Sequence, residues 1–309
     1  MPKKFTRLDR TLIHIRGSDR LNFLQGLLSQ DTTKITSSQS LYTLLLTPQG
    51  KFLHDMFLIP ANSENTSLLI DCDQARAQDL LNRLKIYKLR SDVTLELIPD
   101  ACVFAFWDSR EGTGKTSFIS NNLITYQDPR LQELGGRLIA LTSSENPESV
   151  FKKMGFSKGS FDDYHAHLLR LGVPSNTDDM IPEKAIPLEC GMDELHAIDW
   201  NKGCYMGQEL TARTRYRGLV RKRLIPGTLE GITKAPFMSR IMFEGLEAGT
   251  TRSSEKGYAL ALIRLEFLKK SLLTQCTFTL LPPETEAPLF KNATFSPVVP
   301  SWMHIPEEE

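Results

Sequence analysis

The sequence predicts a layered α+β fold, two ferredoxin-like lobes followed by a small C-terminal β-barrel, and three observations carry it. Strand-period and helix-period segments alternate over residues 1–100, with hairpin chemistry between them. The mixture recurs more weakly over 101–170, in a second lobe taken to run from 101 to 223. From 224 to 309 the chain changes to short β-like pieces set between Gly, Pro and charged turns, which is the pattern of a small barrel.

Each element has a local reason. A strand is expected over residues 10–16, ending at the turn Gly17-Ser18-Asp19, and a helix follows on the apolar stripe Leu21, Leu24, Leu27 and Leu28 with Ser18 or Asp19 as its cap. Leu41 to Thr47 and Phe52 to Ile59 read as two strands, and Pro48-Gln49-Gly50-Lys51 suits the hairpin turn between them. Ser67 to Asp71 leads into a helix capped near Asp73 that carries Leu80, Leu81 and Leu84, and the strand Val93 to Ile98 closes the lobe. Hairpins among these elements argue against a doubly wound parallel sheet. The second lobe takes strands near Val103 to Trp107 and Leu138 to Leu141, with helices near Glu148 to Met154 and Asp162 to Leu171. The barrel draws on Tyr258 to Ile263, Cys276 to Leu281 and Ala293 to Val299.

Composition limits the function classes. The 37 Lys and Arg residues balance 37 Asp and Glu, so the whole molecule is no electrostatic ligand for nucleic acid or anionic membrane. Any anion site must come from local clustering. Cys72, Cys102, Cys190, Cys204 and Cys276 are odd in number and contain no CxxC, which suggests neither a disulfide framework nor a zinc knuckle and fits a reducing compartment. The N-terminus passes at once into the alternating stretch Thr11 to Gly17 without an apolar h-region or an Arg/Ser-rich presequence, so the expected address is the bacterial cytoplasm. No run of about 18 apolar residues offers a spanning helix.

The segment Lys202 to Arg223 concentrates charge. Lys202, Arg213, Arg215, Arg217, Arg221, Lys222 and Arg223 face one acid, Glu209, and such a field attracts carboxylates or phosphates; the alternative is a solvated strip at a domain boundary. Cys204 lies inside it, beside Gly203 and near Gly207, where the backbone can turn tightly and leave sulfur open. Neighbouring cations favour the thiolate, the form that attacks or binds metal. A lone cysteine is more often a small buried hydrophobe, but the surrounding KGCYMGQE is unlike core composition.

Other signals are weaker. GTGKT at Gly112 to Thr116 lacks the leading glycine of a phosphate loop, because Ser109 stands in its place. His165 and His167 point apart in either regular conformation and read as surface residues rather than joint metal ligands. No GxSxG elbow exists for a serine hydrolase. Asp55 sits in a mainly apolar strand, so it must be paired or must line a cavity.

KGCYMGQE (Lys202 to Glu209), followed by TART and YRG, resembles the signature of the YgfZ-type folate-binding proteins of the glycine-cleavage T-protein superfamily. The resemblance runs from about residue 8 to 223 through FLQGLLSQD (Phe23 to Asp31), LLLTPQGKFLHD (Leu44 to Asp55), YKLR (Tyr87 to Arg90) and LECGMDELHAIDWNKGCY (Leu188 to Tyr205). It implies a T-protein-like fold that binds tetrahydrofolate or a derivative, and a role in making or repairing iron-sulfur clusters in target enzymes. Cys204 is then the functional thiol, touching iron at most transiently in a cluster shared with a partner. Lys202, Gly203, Tyr205, Gln208, Glu209, Arg213 and Arg90 form the implied folate surroundings. Client or scaffold proteins are the implied partners, without membrane or nucleic acid, and no stably bound metal is expected.

The alternative is a folate-dependent aminomethyltransferase or demethylase using Asp55. T-proteins resemble GG-x-x-DD after the second strand, whereas this chain runs from Gly50 to His54-Asp55, keeping one acid of the two. Their Arg-x-Glu-Ala-Gly stretch resembles Arg170-Leu171-Gly172 without the glutamate. An RNA-binding use of the arginines has only Tyr205 and Tyr216 as aromatic platforms.

Overall fold

The computed structural model describes residues 3–107, 115–142, 146–175, 177–218, 220–281 and 292–305. The chain divides into two compact units, the first made of 1–161 with 195–208 and the second of 162–194 with 209–309.

The first unit holds two sheets. Its elements in order are β1 (Lys4–Leu8), β2 (Arg10–Arg16), α1 (Arg20–Gln25), β3 (Leu41–Leu46), β4 (Phe52–Pro60), β5 (Leu68–Asp73), α2 (Ala77–Lys88), β6 (Thr94–Ile98), β7 (Cys102–Trp107), β8 (Thr116–Phe118), β9 (Leu123–Gln127), β10 (Gly136–Ala140), α3 (Pro147–Lys153) and β11 (Ser157–Lys158). One sheet runs β3-β4-β5-β2-β6 and the other β11-β1-β7-β10-β9-β8. Only Asp9 separates β1 from β2, so the chain passes from one sheet to the other in a single residue.

Strand β4 explains the layering. It is buried almost throughout, because both of its faces are covered. Met56 and Leu58 join Ile13, Leu24, Ile70, Leu80 and Leu84 in one apolar core. Its other face carries Asp55 and Phe57. Three guanidiniums surround the Phe57 ring, Arg137 at 4.0 Å, Arg130 at 5.1 Å and Arg10 at 5.4 Å. The second sheet has its own aromatic core, in which Phe5 and Phe151 stack with ring centroids 4.2 Å apart beside Phe106 and Phe156.

The second unit comprises most of α4 (Phe161–Leu171) and α5 (Gln208–Tyr216), then β12 (Lys222–Glu230), β13 (Arg240–Phe243), β14 (Leu246–Glu255), β15 (Tyr258–Arg264), α6 (Leu265–Thr274), β16 (Phe278–Leu281) and β17 (Thr294–Pro297). The strands close an antiparallel barrel in the order β12-β15-β14-β13-β16-β17. Ile225, Ile241, Phe243, Leu268, Phe278 and Phe295 fill its core. Closure leaves no free edge.

Several expectations change. Ser18 and Asp19 make no side-chain cap on α1; Ser18 instead donates to Asp92 and Asp19 accepts from the Asp92 amide at 2.8 Å, so both hold a neighbouring loop. The histidines of α4 are not surface residues. His167 is buried and lies 3.2 Å from the Arg170 guanidinium, while His165 is half-buried, because α4 turns that side inward with Leu168 and Leu169. Of GTGKT, Gly112 to Gly114 lie outside the described residues, while Thr116 opens β8. No described helix is long and apolar enough to cross a membrane.

Candidate functional site

Residues 195–208 belong to the first unit despite their place in the chain, and backbone contacts explain why. The Asp199 amide donates to the Ser29 carbonyl at 3.0 Å, Ser29 Oγ donates to the Ala197 carbonyl at 2.6 Å, and Gln30 Nε2 donates to the His196 carbonyl at 2.6 Å. The Met206 amide donates to the Gly26 carbonyl at 3.2 Å. The Asp199 carboxylate forms an ion pair with Lys34. FLQGLLSQD and the thiol segment are thereby stitched together across about 170 residues of chain.

Lys202 is the centre of that seam. Its Nζ donates to the carbonyls of Gln25 at 2.9 Å, Leu28 at 2.6 Å and Gln30 at 2.9 Å. These carbonyls lie at and just beyond the end of α1, where helical acceptors run out of partners. An ammonium has three donors and all three are used here. Burial pulls its pKa down to about 8 against the opposing fields of Asp31 and Asp199. Lys202, expected among the folate surroundings, thus spends its three donors on anchoring the loop.

Gly207 fixes the other end of the segment. It has φ +82, and a Cβ built on it would sit 2.5 Å from the Thr47 carbonyl oxygen and 3.1 Å from Gly50 Cα. The thiol loop thus lies directly on the β3–β4 turn, and only glycine permits the approach. YKLR joins at the same place, since the Tyr87 hydroxyl is 3.4 Å from Met206 Sδ. Four stretches that the sequence displayed separately meet around one thiol.

Cys204 is exposed, as is Gly203, which has open space where a Cβ would stand. Tyr205 is buried beneath them with its ring 5.0 Å from Lys202 Nζ. Its hydroxyl has no hydrogen-bond partner among the described residues, and burial pushes its pKa up to about 12. Gln208 begins α5, and its amide donates to the Tyr205 carbonyl at 3.2 Å. Glu209 and Arg213 are exposed on α5 in the second unit, while Arg90 is exposed just after α2 in the first.

The basic strip shrinks in the structure. Arg223 is buried and donates to both oxygens of Glu194, at 2.7 and 2.8 Å, and to the Leu188 carbonyl at 2.8 Å. Arg213, Arg215, Arg217, Arg221 and Lys222 remain exposed.

Asp55 proves to be both paired and accessible. Its side chain keeps 19% exposure, accepts from the Tyr42 hydroxyl at 3.4 Å and stands 3.7 Å from Arg10. His54 points to the opposite face, where it is 2.8 Å from Asp79, and burial with the nearby Arg76 charge lowers its pKa to about 4. The two residues at this turn therefore serve different surfaces.

Behind Asp55 lies a charge network that the sequence reading missed. Asp71, fully buried, accepts from Arg10, from Arg137 at 2.8 Å and from Tyr126 at 2.6 Å. Burial alone would raise its pKa, but Arg10 and Arg137 outweigh that and hold it below the ordinary carboxylate value. Asp128 pairs with Arg130 at 2.8 Å on the same side. The signal was present as single charges inside apolar strands, Asp71 in LLIDCD and Arg137 in GRLIA. Among the described residues no three His, Cys, Asp or Glu side chains gather as a metal site.

Known proteins are similar to this chain in sequence and in fold. Residues 221–305 fit the family of the CAF17 C-terminal β-barrel domain. The chain is 34% identical over 287 residues to the mitochondrial iron-sulfur cluster assembly factor IBA57 of Mus musculus, covering 86% of this chain and 79% of that one. It is 31% identical over 309 residues to the mitochondrial IBA57 homologue of Coccidioides immitis, covering 86% and 72%. The crystal structure of glycine cleavage system aminomethyltransferase T from Bartonella henselae has the same fold, with TM-score 0.72 over 98% of this chain and 87% of that one at 12% identity. The T-protein-like α+β fold with a closing barrel is thus the fold of this chain.

Those relatives are mitochondrial by name, which overturns the bacterial cytoplasmic address expected from the thiol pattern and the N-terminal stretch. Unpaired thiols report a reducing medium and do not distinguish one reducing compartment from another. A targeting segment is removable and independent of the fold, so the residues that fold carry no address.

Proposed function

The chain belongs to the IBA57 family of iron-sulfur cluster assembly factors, and on that premise we propose that it supports assembly or repair of clusters in target enzymes through the Cys204 thiol. The observation that carries the reading is the convergence of α1, the β3–β4 turn, the end of α2 and residues 195–208 on one exposed cysteine. Cluster iron prefers thiolate ligands, and a single cysteine must share them with a partner. Iron or the cluster is cargo in this reading, and client or scaffold proteins supply the other thiols.

Tetrahydrofolate or a derivative is the second part of the proposal, in the manner of YgfZ-type proteins. Two observations support such a ligand: Asp55 keeps an open edge despite its pairing, and the buried Tyr205 hydroxyl has no hydrogen-bond partner among the described residues. Asp55 would meet a pterin nitrogen, and Tyr205 and Gln208 would offer polar contacts. Bound folate would supply one-carbon chemistry; with one acid in place of two, we assign it a structural or gating role rather than aminomethyl turnover.

Complementation tests the thiol and calorimetry tests the ligand. Cys204→Ser should fold normally and lose support of cluster enzymes in cells lacking the wild-type chain; undiminished enzyme activity would reject the thiol reading. Titration with reduced tetrahydrofolate should give binding in wild type and in Cys204→Ser, with Asp55→Asn weakened. Absence of heat in wild type removes folate and leaves a thiol-dependent assembly factor.

A further inference from the structure

Helix α2 ends in a way that neither its core nor the proposed chemistry requires. Ile86, Tyr87 and Leu89 expose 70%, 42% and 87% of their surfaces at its last turn. Leu89 stands at φ 45, ψ −112 as the closing residue, a backbone conformation that strains any side chain bearing a Cβ. Glycine is the usual solution at a helix end of this kind. A strained leucine pointing into solvent is costly twice over, and such costs persist where a surface is used.

The patch is continuous with the thiol loop through the contact of Tyr87 with Met206, two residues from Cys204. Its rim is basic: Lys85 and Arg90 are exposed, Lys88 is half-exposed, and the adjacent acid Asp92 is already bonded by the Ser18 amide and hydroxyl. A second copy of the chain placed symmetrically on this patch would oppose cation to cation.

We propose that the end of α2 docks a partner protein whose own face has an apolar centre ringed by carboxylates, and which presents thiolates or a thiolate-held cluster to Cys204. The inference rests on the reading of Cys204 given above. Leu89 and Ile86 supply the apolar anchors, and the cations set orientation and encounter rate. Docking here puts the partner's thiols beside the exposed sulfur and explains why the helix ends on a leucine rather than a glycine.

The experiment places a benzophenone amino acid at position 89 of the full chain in cells and identifies the photo-crosslinked protein and peptide. The expected product is an iron-sulfur scaffold or client joined through an acidic segment, reduced about tenfold or more by Ile86→Asp or by Lys85→Glu with Lys88→Glu. Leu89→Gly should raise the melting temperature while weakening capture and cluster-enzyme support, a combination that a purely structural leucine would not produce. Crosslinking to a second copy, to lipid, or to a protein without cluster chemistry overturns the proposal. If Cys204→Ser abolishes enzyme support and Leu89→Asp does not, docking fails and the thiol reading stands. If neither substitution has an effect, the thiol reading fails and this one falls with it.

Discussion

Lys202 Nζ donates to the Leu28 carbonyl at 2.6 Å, across 174 positions of sequence, and the same ammonium binds the carbonyls of Gln25 and Gln30. The cation two residues from Cys204 is therefore a fastener. Lys202→Met would leave three acceptors facing an apolar stem, at a cost of about 2–4 kcal/mol. Thermal unfolding should show the loss, and maleimide should modify Cys204 faster as its loop loosens. An unchanged melting temperature would mean that water replaces the ammonium without cost.

Two glycines flank the same thiol in different settings. Gly207→Ala forces a methyl against the Thr47 carbonyl at positive φ, and should destabilise the chain by about 2–4 kcal/mol. Gly203→Ala meets open space and should fall within about 0.5 kcal/mol of wild type. Chemical denaturation of the pair checks the contrast, and equal effects would contradict the close approach of loop and turn.

Four of the five thiols should react in two tiers. Cys204 and Cys276 are exposed, whereas Cys72 and Cys190 are buried with burial pushing each pKa up to about 12. Alkylation of the native chain near pH 7.5, read by mass spectrometry, should modify Cys204 and Cys276 first and reach Cys72 and Cys190 only on unfolding. Cys204→Ser should remove one fast site without releasing a buried one.

His54 sets an acid limit on stability. Its pKa falls from 6.5 in the unfolded chain to about 4 in the fold. The unfolded state binds this proton first as pH falls, so the stability due to neutral His54 is complete above about 6.5 and declines toward 4, by roughly 3 kcal/mol at the lower end. Denaturation midpoints between pH 7 and 4 should follow that slope, and His54→Gln should flatten it. Asp79, held below its ordinary value by Arg83 and His54 against the opposing effect of burial, adds its own loss only at lower pH.

What could be read from the residues follows a physical divide. Strands with a clear hairpin turn, such as β3 and β4 across Thr47 to Lys51, announce themselves because turn chemistry is local. Strand β1 does not, since it is five residues long and pairs with Phe104 and Phe106 about 100 positions away. The barrel was legible as a region, yet β12 to β14 were not placed, because Gly, Pro and polar residues interrupt their alternation. At the site, the motif identified Cys204 correctly as exposed, while Lys202 and Arg223 could not be told from solvated cations. A charge committed to backbone carbonyls looks the same in a sequence as one facing water.

The contact division of the chain has a consequence for synthesis. A ribosome completes both sheets of the first unit by residue 158, yet the segment that brings Cys204 begins at 195, after the opening stretch of the second unit has emerged. Until then the carbonyls that await Lys202 stay hydrated, and the loop to be closed spans some 170 residues. The thiol is thus installed late, on a scaffold already formed, so a nascent chain does not hold Cys204 in its anchored loop before most of the first unit exists.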